Sequence, residues 1–178
     1  MTNVPTRPWW QQIEEHNLAQ GDYLPSCLVP CFRPDYGASG DVHEVSVRDY
    51  DCIVLTQSCD LENDKAPLVA LCPVYGILEF ENVNPRMTER GMWERVRQGR
   101  IEGLHLLASP TSPDQNRFCL VAEFREIYSL PIGYLKRRAS ELGRRWRLQS
   151  PYLEHFSQAF ARFFMRVGLP SSIPSFAK

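Results

Sequence analysis

Lysine is scarce. Lys65, Lys136 and Lys178 are the only three among twenty basic residues, so seventeen are arginines. No apolar run approaches the ~20 residues that a membrane helix requires, and we expect no membrane span. Only four histidines occur, and none pair at zinc-finger spacing. Cys27 and Cys31 form one close cysteine pair, and no second close pair follows. A composite zinc site from Cys27, Cys31, Cys59 and Cys72 is signalled too weakly to adopt. We therefore expect no metal and no cofactor. Met1-Thr2-Asn3-Val4-Pro5 lacks the basic-then-apolar order of a secretory signal, so the expected place is the cytoplasm, with reduced thiols. Repeats and low-complexity tracts are missing too. What is present is ordinary for a globular chain: 178 residues, 43% hydrophobic and 23% charged. Disordered, fibrous and membrane classes are excluded by these features.

The net charge of -1 hides an asymmetry. Residues 1–85 hold 4 Lys+Arg and 13 Asp+Glu; residues 86–178 hold 16 and 8. Two readings follow. In one, the halves attract each other across a single fold or a homodimer interface. In the other, arginines, whose planar forks match phosphate, form a nucleic-acid surface.

The chain reads as one domain over 1–178, with a barrel-like part at 20–136, a basic connector at 137–150 and a terminal helix at 151–168. A short helix is expected over 8–19, ended by Gly21. An entry strand follows from Gly21 to Phe32, then a loop at 33–43 rich in Gly, Pro, Asp and Ser. Further strands are expected around Val45 and Val47, at Cys52–Leu55, Leu68–Val74, Leu104–Leu107, Cys119–Phe124 and Ile127–Leu130. Residues 86–99 suit a helix. Leu153, Phe156, Phe160, Phe163, Phe164 and Val167 recur at intervals of three and four, which predicts an amphipathic helix. Ser150 would cap it, Pro151 would open it and Gly168 would end it. Its other side carries His155, Gln158, Arg162 and Arg166, expected to face solvent. The fold class is mostly β with helices, α+β: a small β-barrel or a twisted antiparallel sheet with added helices.

The element order resembles the MazF/PemK-like toxin fold, an SH3-like barrel. Gly21-Asp22-Tyr23-Leu24 is similar to that family's entry. Ile53-Val54-Leu55-Thr56 resembles its apolar strand ending in a hydroxyl residue. Val69-Ala70-Leu71-Cys72-Pro73-Val74 and Phe124-Arg125-Glu126-Ile127-Tyr128-Ser129-Leu130 resemble two later strands. The resemblance spans roughly residues 21–136. It implies cleavage of single-stranded RNA in a toxin–antitoxin or defence setting, with an antitoxin or other protein as partner. The family's Arg-Pro falls at Tyr50 and Asp51, with Arg48 slightly earlier. Its hydroxyl residue falls at Val74 and Tyr75.

Two clusters could carry chemistry. Thr56-Gln57-Ser58-Cys59-Asp60 follows an apolar strand, where scaffolds present reactive groups. Cys59 would be the nucleophile, Asp60 would orient a base or a substrate, and His105 would be the base, with His43 second. The competing reading makes Ser58 and Asp60 turn staples. Lys136-Arg137-Arg138 and Arg144-Arg145-Trp146-Arg147 form the second cluster. There Trp146 would stack on a base while Arg137, Arg138, Arg144, Arg145 and Arg147 hold phosphates. The leading expectation is a protein acting on single-stranded RNA. The alternatives are a non-catalytic interaction module, homo-oligomeric or bound to a partner through its Phe-rich helix, and a Cys59-dependent thiol enzyme.

Overall fold

Alternation of apolar and polar residues builds the strands. In β2 (Asp22–Cys31), Asp22, Leu24, Cys27 and Val29 are buried, Tyr23 packs on the opposite face against Trp10, and Ser26, Leu28 and Pro30 are exposed. β3 (Ser46–Val54) pairs antiparallel with it, its last three residues buried. The computed structural model describes residues 7–32, 45–63 and 65–165. His43 and residues 166–168, with Arg166, Val167 and Gly168, lie outside them. The remaining strands are β1 (Trp10–Ile13), β4 (Leu68–Gly76), β5 (Leu104–Leu107), β6 (Leu120–Glu123), β7 (Tyr128–Pro131) and β8 (Arg145–Leu148). The helices are α1 (Ser58–Glu62), α2 (Ile77–Val83), α3 (Met92–Arg97), α4 (Ile132–Leu142) and α5 (Tyr152–Phe164).

All pairings are antiparallel, in the order β1-β8-β2-β3-β4-β6-β5, with β7 also beside β4. The class is α+β, and the sheet is not closed. β4 is its pivot. Leu71, Cys72 and Pro73 pair with β3, while residues 68–71 pair with β7 and 74–76 with β6. The bend between β6 and β7 lets one strand serve both ends of β4. A second irregularity lies in β2, where the register shifts between Leu24 and Cys27 and Ser26 takes φ 53°. Asp51 accepts the Ser26 N–H at 2.9 Å and the Tyr23 hydroxyl, holding this bulge.

Two cores form on the two faces. One gathers Leu24, Cys27, Cys52, Val54, Leu61, Val69, Leu71 and Leu130 under Leu135 and Ala139 of α4. The other gathers Ile53, Leu55, Cys72, Leu107, Ala122, Phe124 and Leu148 under Phe156 of α5. Phe80, Met87, Val96, Leu104 and Val121 make a third beneath α2 and α3. Phe156 is fully buried, and Phe124 meets Phe156, Phe160 and Phe163 at centroid distances of 5.4, 5.5 and 6.4 Å. The same chain thus covers most of the aromatic face; Phe164 stays 56% exposed. Gly21 has φ 83°, and a Cβ there would lie 2.8 Å from Leu153 Cδ1, so a larger residue would push α5 away.

Several expected elements differ. The expected helix over 8–19 contains β1 instead, because β8 supplies a partner strand and so short a helix has little stability of its own. Residues 137–150 are not a connector. They hold most of α4 and all of β8, which lies inside the sheet between β1 and β2. The expected helix over 86–99 is split: Gly91, at φ 83°, separates a 3-10 turn at Pro85–Thr88 from α3. At α5 the cap position belongs to Pro151, and no side chain caps the helix.

Candidate functional site

The six basic-stretch residues do not form one surface. Arg137 is exposed on α4. Arg138 donates to the Pro25 carbonyl at 3.1 and 3.0 Å and pairs with Glu141 at 3.4 Å. Arg144 pairs with Glu14 at 2.9 Å on the surface. Arg145 is turned inward, its side chain 1% exposed, and donates to fully buried Asp22 at 3.0 Å and to the Glu15 and Asn17 carbonyls. Arg147 donates to the same carboxylate at 2.5 Å and to Glu15 at 3.2 Å. Trp146 packs against the α5-side core. The β8 arginines therefore neutralise acids of the first half, as the attraction between halves requires. Arg145 has no donor left facing solvent for a phosphate.

The Cys59 cluster is a short helix on the α4-side face, anchored by Leu61. Thr56 Oγ1 accepts the Ala70 N–H at 2.8 Å, and Ser58 Oγ accepts the Gln20 N–H at 3.1 Å. These hydroxyls staple β3 to its neighbours. Cys59 is exposed, with its sulfur 3.7 Å from Gln57 Oε1 and 3.9 Å from Asp60 Oδ1. His105 belongs to the other face. Its ring lies 6.2 Å from Phe124 and 5.8 Å from Phe156. Burial, then the nearby His155, lowers its pKa to about 4. The structure does not bring Cys59 and His105 together, because the sheet stands between them. Three other thiols are poor nucleophiles: burial pushes Cys72 and Cys119 up, and a hydrogen bond to Cys27 followed by burial raises Cys52. Among the described residues no three His, Cys, Asp or Glu side chains converge as metal ligands. No described helix is long and apolar enough to cross a membrane.

A different region combines aromatic, cationic and acidic groups. The β2–β3 pair and the β6–β7 bend border a cleft of about 730 Å³, lined by Phe32, Arg48, Tyr50, Arg125, Glu126 and Tyr128 among others. Tyr50 stacks on Tyr128, with centroids 5.5 Å apart and planes at 26°. Tyr75 meets Tyr50 edge-on at 6.3 Å. Glu126 Oε2 accepts the Tyr128 hydroxyl at 2.7 Å and the Tyr75 hydroxyl at 3.4 Å. Burial, reinforced by Glu126, raises both phenols, so they remain donors at neutral pH. Arg48 is exposed; a hydrogen bond with Tyr50 raises its pKa. Arg125 is tied to Glu123 and to the Glu102 carbonyl.

Sequence reasoning marked Arg48, Tyr50 and Tyr75 only as positions where the toxin family has other residues. Here Tyr50 and Tyr75 touch. Tyr128 and Glu126 were missed as site residues. Their signal, a tyrosine two residues after an acid beside a strand, is too common to single out. No protein-family model, curated protein or solved structure matches the chain.

Proposed function

We propose that the protein acts on single-stranded RNA, held in the tyrosine cleft rather than along the basic stretch. The stacked Tyr50–Tyr128 pair beside Arg48 carries this reading. Sequence-tolerant binding of single strands uses aromatic faces for bases and cations for the backbone. The cleft offers both, on elements fixed by the β4 pivot. Glu126, flanked by two phenols, adds an acceptor for a ribose hydroxyl, the group that distinguishes RNA from DNA. The sharing of β4 between β3 on one edge and β6 and β7 on the other supports a barrel-like relation to toxin folds, although the sheet stays open. A toxin–antitoxin or defence role and a cytoplasmic place belong to the same proposal.

Binding of a fluorescein-labelled single-stranded RNA, followed by anisotropy, tests it. Tyr50→Ala should weaken binding by roughly 1–3 kcal/mol, five- to 150-fold, at unchanged fold. Arg48→Ala should flatten the dependence of log K on log salt by about 0.7, one phosphate contact on a single strand. Undetectable binding by the unaltered protein at low salt would refute the proposal.

A further inference from the structure

β5 ends the sheet, and among the described residues no strand pairs with its outer edge. That edge is not bare surface. It is the floor of a groove between α3 and α5, made of two adjoining hollows of about 470 and 390 Å³ that share Val96, Arg97, His105 and His155. The walls differ because β5 alternates. Leu104 and Leu106 pack toward α3 with Val96 and Trp93. His105 and Leu107 pack toward α5 with Phe156. An extended chain laid on this edge would alternate in the same way, one set of side chains meeting Trp93 and Val96 and the other meeting α5.

The α5 wall is set by the stripe His155, Gln158 and Arg162, which the sequence suggested faces open solvent. All three line the groove. Arg162 makes no ion pair among the described residues, and no carboxylate of α5 lines the groove. On the α3 side, Glu94 is already held by Arg97 at 2.7 and 2.6 Å and by Gln98 at 2.6 Å. Glu102 lies at the Gly103 end. Arg162 therefore places on the α5 wall a cation that has no ion pair among the described residues, while the α3 wall presents Trp93 and Val96 beside the paired Glu94 and Arg97.

We propose that this groove binds an extended segment of a partner protein by strand addition to β5, the segment alternating acidic residues toward Arg162 with apolar residues toward Trp93. Main-chain hydrogen bonds to the edge would supply affinity, and the two walls would supply the alternation. This site is separate from the tyrosine cleft and does not depend on RNA binding.

The test uses the full chain and a fluorescein-labelled ten-residue peptide of alternating Glu and Leu. Saturable binding is expected, at least tenfold weaker with Arg162→Glu and intermediate with Arg162→Ala. Arg162 is exposed, so both variants should keep the far-UV spectrum and melting temperature of the unaltered protein. N-methylating every second amide should abolish binding for one of the two possible sets and spare it for the other, because only one set faces β5. Equal binding of a Lys-Leu peptide would overturn the proposal, as would full binding by both methylated sets. A dimer that dissociates on Arg162→Glu, with no peptide bound, would give the groove to a second copy and equally overturn it.

Discussion

Arg145 on β8 and Arg48 on β3 lie in the same sheet under opposite conditions. Arg145 is buried, and its guanidinium is filled by Asp22 and two backbone carbonyls. Arg48 is exposed, with Tyr50 as its foremost electrostatic neighbour and no ion pair among the described residues. The difference teaches that an arginine in a basic run is not thereby a nucleic-acid contact. What decides is whether the fold already contains an acid to meet it. The β8 run faces Glu14, Glu15 and Asp22, whereas the tyrosine cleft leaves its cation on the rim.

The sharpest break of this comparison is Arg145→Ala. It leaves Asp22 buried with one cation fewer, and removing one partner of a buried pair costs about 3–5 kcal/mol. Urea unfolding should show a loss of that size; a loss under 1 kcal/mol would mean that Arg145 is not held inside. A second ionisable group sharpens the contrast, since half-buried His105 is desolvated and makes no ion pair among the described residues. Its pKa falls from 6.5 to about 4 on folding, so between these values the unfolded state binds more protons. Stability should therefore fall as pH drops from 6.5 toward 4, by about 3 kcal/mol from this group. His105→Leu should remove that share of the acid slope, measured by urea unfolding at pH 7 and pH 4.5. Arg144→Ala marks the small end. Its pair with Glu14 is mostly exposed, and the expected loss is below about 1 kcal/mol. A larger thermal shift would mean that this pair is not simply a surface contact.

Local pattern was enough for much of the architecture. The apolar run around Leu68–Val74 is β4, Leu104–Leu107 is β5, and the three-and-four spacing of phenylalanines is α5. Long-range closure was not legible. β1 is a strand only because β8 pairs with it, and β8 was hidden in a run whose charge outweighed its alternation. α4 carried a readable stripe, Ile132, Leu135, Ala139 and Leu142, masked by Lys136, Arg137 and Arg138. The candidate cleft was not legible as a site: Arg48, Tyr50 and Tyr75 stood out only against the toxin family's pattern. Much of the cleft comes from the β6–β7 bend, where β4 has two partners on one edge.

The pairing of β1 with β8 also imposes an order on biogenesis. Trp10 finds Leu148 across the sheet, and its indole N–H donates to the Ala108 carbonyl at 2.7 Å. At a synthesis rate of about 5–20 residues per second, the first strand waits many seconds before its partner is made. Until then Trp10 and Ile13 lack their partner strand, so the nascent chain exposes them until β8 is made. Ribosome-bound chains stopped before residue 145 should accordingly hold this segment open to chaperones, and release from them should coincide with the emergence of β8.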